Sequence, residues 1–311
     1  MTFDELTRDI IHPERAVLHP IETAETANRN ITLHVKRCDL IHPEVNGNKW
    51  YKLKYNLRKS LETGHDTMLT FGGAFSNHIH ATAEAGKLFG LRTIGIIRGE
   101  EPKDWSHTLL SARENGMQLV FIDRLSYAEK NTEDFKGWLH EQYGSFHLVP
   151  EGGSNFLGVN GCMEILSENE KNNYDFICCA SGTGSTAAGL LLTAGNDQKV
   201  LSFPVFKNGG FIKEEIIKHI EYFLMDRAVA EEYNGSLEVI TEYGFGGYAK
   251  WNDELIAFIQ QMKKDHDLPL DQVYTGKLCF GILDLIKKNY FLNNSRILMI
   301  HSGGLQGLNP K

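Results

Sequence analysis

The run Thr67-Met68-Leu69-Thr70-Phe71-Gly72-Gly73 decides the fold class. A short apolar stretch stops at a glycine pair, the pattern of a buried strand closed by a turn. Downstream, Ala81, Ala85 and Leu88 recur at helical spacing between Asn77 and Phe89, and residues 92–97 form a β-branched run. A helical pattern over 106–115 stops at Gly116, and Leu119-Val120-Phe121-Ile122 reads as the next strand. Strands alternating with helices predict an α/β fold whose mostly parallel sheet is covered on both faces.

Working outward, residues 1–45 read as an irregular lead-in with one alternating strand over 31–37. The alternation pauses at Pro150-Glu151-Gly152-Gly153-Ser154-Asn155. It resumes with a helix over 158–169 and a buried strand, Phe176-Ile177-Cys178-Cys179-Ala180. Further strands are predicted over 200–206, 237–241 and 296–300, and helices over 212–224, 252–264 and 276–288. Two α/β units follow from this pattern.

Composition narrows the class. The 311 residues carry a net charge of -8 and show no basic tail, which argues against nucleic-acid or membrane-surface binding. Five cysteines without C-x-x-C spacing predict neither a disulfide framework nor a zinc site, and reduced thiols suit a cytoplasmic protein. No apolar run reaches the roughly 20 residues that span a bilayer. Met1-Thr2-Phe3-Asp4-Glu5 lacks the features of a leader peptide.

Four short motifs carry chemistry. In Asn46-Gly47-Asn48-Lys49-Trp50-Tyr51-Lys52-Leu53, a turn runs into a helix that Asn48 is expected to cap, putting Lys49 at the first helical position. A helix N-terminus repels cations. Lys49 is therefore either a solvated lysine on a basic face or one whose charge is removed, as in a Schiff base to an aldehyde. Ser181-Gly182-Thr183-Gly184-Ser185-Thr186 follows a strand and opens a helix. Its glycines and hydroxyls suit a monoester phosphate, and it matches neither a Walker loop nor a dinucleotide fingerprint. Gly72-Gly73-Ala74-Phe75-Ser76-Asn77-His78 also joins strand to helix, with Asn77 a cap or a polar ligand and His78 a structural residue. Val273-Tyr274-Thr275-Gly276-Lys277 and His301-Ser302-Gly303-Gly304 add hydroxyls, the latter at a strand end, where open α/β sheets place ligands. Tyr274 as a packed aromatic and His301 as a core histidine are the structural alternatives.

Together these motifs resemble the pyridoxal-phosphate enzymes grouped as 1-aminocyclopropane-1-carboxylate deaminases and D-cysteine desulfhydrases. The resemblance runs from Gly47-Asn48-Lys49 to Ser302-Gly303-Gly304. It implies the tryptophan-synthase-β-like architecture (fold type II). Two domains, each with a helix-flanked, mostly parallel sheet, would then hold pyridoxal 5'-phosphate in the cleft between them. Residues 1–50 and 160–311 would form the large domain and 51–159 the inserted small one. Lys49 matches the Schiff-base lysine and Asn77 the partner of the phenolic oxygen. Gly182, Thr183, Gly184, Ser185 and Thr186 match the phosphate cup, with Lys52 a further contact. Ser76 matches the serine that meets the substrate carboxylate or acts as base or nucleophile. Tyr248 and Tyr274 match two active-site tyrosines, and Ser302 the group facing the pyridine nitrogen. No metal is implied. A small amino-acid substrate and a homodimer are.

The family's two branches differ at positions this chain displays. Deaminases carry glutamate where Thr275 stands and leucine where Ser302 stands, and tend to have glutamine where His78 stands. A carboxylate keeps the pyridine nitrogen protonated and the ring a strong electron sink; a hydroxyl does not. Ring opening of a cyclopropane needs the strong sink. Loss of an α-proton and a good β-leaving group needs less. The resemblance therefore points to α,β-elimination of D-cysteine, with ring opening, serine dehydration, racemisation or non-catalytic binding of a phosphorylated ligand as alternatives. Trp50 and Tyr51 replace the family's usual threonine and arginine, and Asn46 a glycine. Two aromatics beside Lys49 are expected to bear on the substrate.

Overall fold

The computed structural model describes residues 3–308. Met1 and Thr2, part of the segment expected to lack leader features, lie outside them. The strands are β1 (Leu18–Pro20), β2 (Thr32–Lys36), β3 (Thr67–Gly72), β4 (Arg92–Arg98) and β5 (Gln118–Ile122). They continue with β6 (His147–Val149), β7 (Phe176–Ser181), β8 (Lys199–Pro204), β9 (Leu237–Val239) and β10 (Arg296–Ile300). They form a six-stranded sheet ordered β1-β2-β10-β7-β8-β9 and a four-stranded sheet ordered β5-β4-β3-β6. Among the described residues, only the β1–β2 pairing is antiparallel. The α/β architecture with parallel sheets flanked by helices is the expected one.

The pleat explains the apolar runs. In β7, Ile177 and Cys179 enter one core cluster, while Cys178 and Ala180 enter the cluster on the opposite face. In β10, Leu298 and Ile300 alternate with Ile297 and Met299 in the same way. Both faces are covered, so the strands read as continuous apolar stretches rather than alternating ones. The smaller sheet repeats this, with Leu69, Phe71, Ile94 and Ile96 on one side and Ile97 packed with Ile79 and Leu109 on the other.

Several expectations are revised. The lead-in is not irregular throughout: it contains β1 and the helices Phe3–Arg8 and Ala24–Asn28. These elements are too short to display a period. The helix predicted over 158–169 is Phe156–Cys162, capped by the Asn155 side chain accepting from Gly158 N at 2.8 Å. Its Gly161 lies so near Tyr51 O that a Cβ would approach to 1.8 Å, so the helix crosses Gly47–Glu62 backbone against backbone. The helices Arg124–Ala128, Glu133–Tyr143 and Arg227–Glu232 are additional to those that the periodicity predicts. Among the described residues, no helix is long and apolar enough to cross a membrane.

The helix Gly47–Glu62 begins two residues earlier than its motif suggested. Asn46, not Asn48, occupies the cap position, and its side chain makes no cap hydrogen bond. Gly47 adopts φ +58°, and a Cβ there would lie 2.0 Å from Ser302 O. Only glycine meets both demands. Lys49 is thus the third helical residue. Asn48, freed from capping, donates from Nδ2 to Thr186 Oγ1 at 2.9 Å.

Candidate active site

The C-terminal ends of β3, β4, β7 and β10 converge on one cavity of about 370 Å³. Parallel strands leave a crevice at these ends, where loops rather than helices cover the sheet. Of the twelve residues expected at the site, Lys49, Lys52, Ser76, Asn77, Gly182, Thr183, Gly184, Thr186, Tyr248, Tyr274 and Ser302 line it. Ser185 does not. It is fully buried, with Oγ 3.1 Å from Ser154 Oγ and 3.4 Å from Thr183 Oγ1.

Lys49 Nζ donates to Asn48 Oδ1 at 2.7 Å. Burial, and secondarily the charge of Lys52, lower the Lys49 amine to about 7. A lysine normally stays protonated far above that. Lys52, lowered chiefly by burial, points at the glycine-rich loop, with Nζ 3.4 Å from Thr183 Oγ1. The loop turns sharply at Gly184, φ +85°, where a Cβ would press to 2.9 Å on Ile216 Cγ1. His219 Nε2 donates to Thr183 O at 2.9 Å and steadies the loop from behind.

Across the cavity, Ser76 rather than Asn77 caps the helix Asn77–Phe89, its Oγ accepting from Ile79 N at 3.3 Å. The residue before the helix has the extended backbone a cap requires, and Asn77 already lies inside. Asn77 Oδ1 accepts from Gln306 Nε2 at 2.7 Å, which leaves its amide nitrogen to donate. His78 is buried, with Nε2 2.8 Å from Thr70 Oγ1. The single Thr70 hydroxyl hydrogen goes to Val149 O at 2.8 Å, so Thr70 must accept from His78 Nε2–H. Burial, with Lys49 and Lys52 nearby, holds His78 well below the usual imidazole range. It is a neutral residue with one nitrogen committed to the fold, as expected of a structural histidine.

The two tyrosines meet edge to face, with ring centroids 6.3 Å apart. Burial raises both hydroxyls, and their mutual interaction raises Tyr274 further while lowering Tyr248. Thr275 turns away from the cavity. Fully buried, it donates from Oγ1 to Asp271 Oδ1 at 2.7 Å and accepts from Asp271 N at 2.8 Å. The Asp271 carboxylate also accepts from Val273 N, Tyr274 N and Thr275 N. His301 is a satisfied core histidine, donating from Nε2 to Pro269 O at 2.8 Å with Asp39 Oδ1 3.2 Å from Nδ1.

Trp50 and Tyr51 do not line the cavity. They are 3% and 4% exposed, and Trp50 stacks on Phe89 in the core. Successive helical residues point about 100° apart, so neighbours of Lys49 in sequence face elsewhere. The expectation that these aromatics shape the substrate pocket is corrected. Arg98, Glu151 and Phe206 line the cavity without having been singled out. Arg98-Gly99 at a strand end and the Glu151-Gly152-Gly153 pause were the available signals.

Relatives match over most of the chain. A Thermotoga maritima protein named for 1-aminocyclopropane-1-carboxylate deaminase activity is 31% identical, over 89% of this chain and 89% of its own length. The chain belongs to the family of pyridoxal-phosphate-dependent 1-aminocyclopropane-1-carboxylate deaminases and D-cysteine desulfhydrases. A D-cysteine desulfhydrase of Serratia proteamaculans is 27% identical over 89% of this chain and 87% of its own. The bifunctional D-cysteine desulfhydrase/1-aminocyclopropane-1-carboxylate deaminase of Arabidopsis thaliana is 29% identical over 90% and 74%. The crystal structure of an ACC deaminase homologue superposes with a TM-score of 0.76 at 27% identity, covering 98% of this chain and 95% of that one. No protein-family model matches the chain.

The family's cofactor fits the residues present. A glycine-rich cradle lined by the Thr183 and Thr186 hydroxyls, with the buried Lys52 at one end, suits a phosphate monoester. A second lysine with a depressed pKa, held by an asparagine, suits an aldehyde. Both lie in one cavity.

Proposed function

We propose that this enzyme catalyses α,β-elimination on a small amino acid, with D-cysteine as substrate and pyruvate, sulfide and ammonia as products. The observation that carries the reading is the polar pair at the two branch positions. Ser302 lines the cavity as a hydroxyl, while Thr275 is spent on Asp271. No carboxylate is presented from either position, which favours the reaction with the smaller demand for an electron sink.

Pyridoxal 5'-phosphate, when bound, supplies an electron-withdrawing ring that stabilises charge at the substrate's α-carbon. Gly182, Thr183, Gly184 and Thr186 would hold its phosphate with backbone N–H groups and hydroxyls, with Lys52 as counter-charge and Ser185 bracing the cup from behind. Asn77 Nδ2 is free to donate to the phenolic oxygen because Gln306 occupies its Oδ1. Ser302 would face the pyridine nitrogen. Lys49 would hold the aldehyde and then take the α-proton on Nζ. Its amine is unprotonated in good part at neutral pH, the state a general base requires. The Ser76 hydroxyl hydrogen is free, since its oxygen accepts in the cap, and would bind the substrate carboxylate. Tyr248 and Tyr274 stay protonated at neutral pH and would serve as donors to the departing group or the carboxylate. With one water consumed, D-cysteine yields one pyruvate, one hydrogen sulfide and one ammonia.

The relatives named as 1-aminocyclopropane-1-carboxylate deaminases support ring opening as the second reading. Purified, cofactor-loaded enzyme is therefore offered D-cysteine, L-cysteine and 1-aminocyclopropane-1-carboxylate, with sulfide, pyruvate and 2-oxobutanoate measured. D-selective sulfide release is expected. Oxobutanoate without sulfide overturns the elimination reading. We further propose that residues 51–159 form a small domain inserted in a large one, a division supported by the separate four-stranded sheet. A homodimer in the cytoplasm completes the reading. Five buried, unpaired cysteines suit a reducing compartment, and light scattering tests the dimer.

A further inference from the structure

We infer that Lys277 is a positioning residue: its ammonium clamps the loop 244–250 and so sets where the Tyr248 hydroxyl stands in the cavity. This rests on the reading above only in giving Tyr248 a role at the site.

Lys277 belongs to a sequence motif from which the site takes only Tyr274. It lies in the first turn of the helix Thr275–Lys287 and is 2% exposed, one of the largest fully enclosed side chains of the protein. It forms no ion pair among the described residues. Its Nζ instead donates to Gly244 O at 2.9 Å and Gly247 O at 2.8 Å. A buried ammonium is costly unless its donors are used, and here two carbonyls of a single loop use them.

Those carbonyls are the corners of two successive turns. Gly247 N donates to Gly244 O at 2.9 Å, and Lys250 N donates to Gly247 O at 3.1 Å. The loop takes left-handed backbone angles at Phe245, Gly246, Gly247 and Ala249 (φ +48°, +88°, +122° and +52°). Two of these residues carry a Cβ that such angles disfavour, so the loop needs outside support to keep this shape. Tyr248 follows the second clamped carbonyl directly. Its ring packs on Phe206, with centroids 6.0 Å apart, and meets Tyr274 edge to face. Tyr274 stands three residues before Lys277. One lysine therefore ties the helix that presents Tyr274 to the loop that presents Tyr248, and holds the two phenols in register.

The test compares Lys277→Met, Tyr248→Phe and the double variant, as cofactor-loaded enzymes. Hydrogen exchange read by mass spectrometry needs no substrate. Lys277→Met is expected to raise exchange in peptides spanning 244–250 by about tenfold or more, while peptides of β10 stay as in the parent. Lys277→Gln, which reaches one carbonyl, should fall between and serves if the methionine variant folds poorly. On substrate, Lys277→Met and Tyr248→Phe each lower kcat, and the double variant is no worse than Tyr248→Phe within about threefold. Unchanged exchange in the loop overturns the clamp. Fully multiplicative losses overturn its action through Tyr248. If D-cysteine is not turned over, the elimination reading fails, and the exchange arm still decides the clamp.

Discussion

Replacing Lys49 by methionine should stabilise the cofactor-free protein, and by an amount that depends on pH. In the unfolded chain this amine holds its proton to about 10.5; in the folded chain, burial and then Lys52 lower it to about 7, with Cys162 and Asp271 acting the other way. Between these values the unfolded state binds more protons, so the group's contribution to stability rises with pH. Below pH 7 the whole penalty applies. At about 1.4 kcal/mol per pKa unit it amounts to roughly 5 kcal/mol at pH 6, falling to roughly 2 kcal/mol at pH 9. Lys49 is only partly buried on the cavity wall, so solvent screens part of this, and methionine forgoes the hydrogen bond to Asn48, worth about 1 kcal/mol. A gain of about 2–3 kcal/mol at pH 6, shrinking towards zero by pH 9, is therefore expected. Urea unfolding of both proteins at pH 6, 7.5 and 9 reads it directly. A difference that stays constant with pH, or a less stable variant at pH 6, would refute the depressed lysine on which its proposed role as a base depends.

Two further substitutions test the framework around the cavity. Gly47→Ala forces a Cβ into the Ser302 carbonyl at a left-handed position, and should cost about 2–4 kcal/mol in urea unfolding; a loss below about 0.5 kcal/mol contradicts the close approach. Asp271→Ala strips the acceptor from Val273 N, Tyr274 N, Thr275 N and the Thr275 hydroxyl. A loss of about 2–4 kcal/mol with an unchanged denaturant slope is expected, and a neutral result would show that these donors find other partners.

Much of the site was legible because its parts are local. A lysine after Asn46-Gly47-Asn48 and a Ser-Gly-Thr-Gly-Ser-Thr run between strand and helix announce themselves through chemistry concentrated in a few adjacent residues. Arg98 and Glu151 went unread because a single charged residue at a strand end looks the same whether it faces a cavity or solvent. The caps at Asn46 and Ser76 were each placed late, because asparagine suits a cap by type and only backbone angles tell which residue occupies it. Trp50 and Tyr51 follow Lys49 in sequence yet pack into the core, because adjacency along a helix is not adjacency in space.

The alternation of apolar runs and helical periods determined the α/β class and the parallel pairing, since both follow from burial of strands on two faces. The residue types near Gly47, Gly182 and Ser302 determined the cofactor chemistry. Direction was left to the tertiary structure. It turned Thr275 onto Asp271 and Trp50 into the core, drew Asn48 to Thr186, and used a buried Lys277 to shape a loop more than twenty-five residues earlier in the chain. Sequence sets what a side chain can do. Which partner it meets depends on contacts between segments far apart along the chain, and those exist only once both sheets have packed.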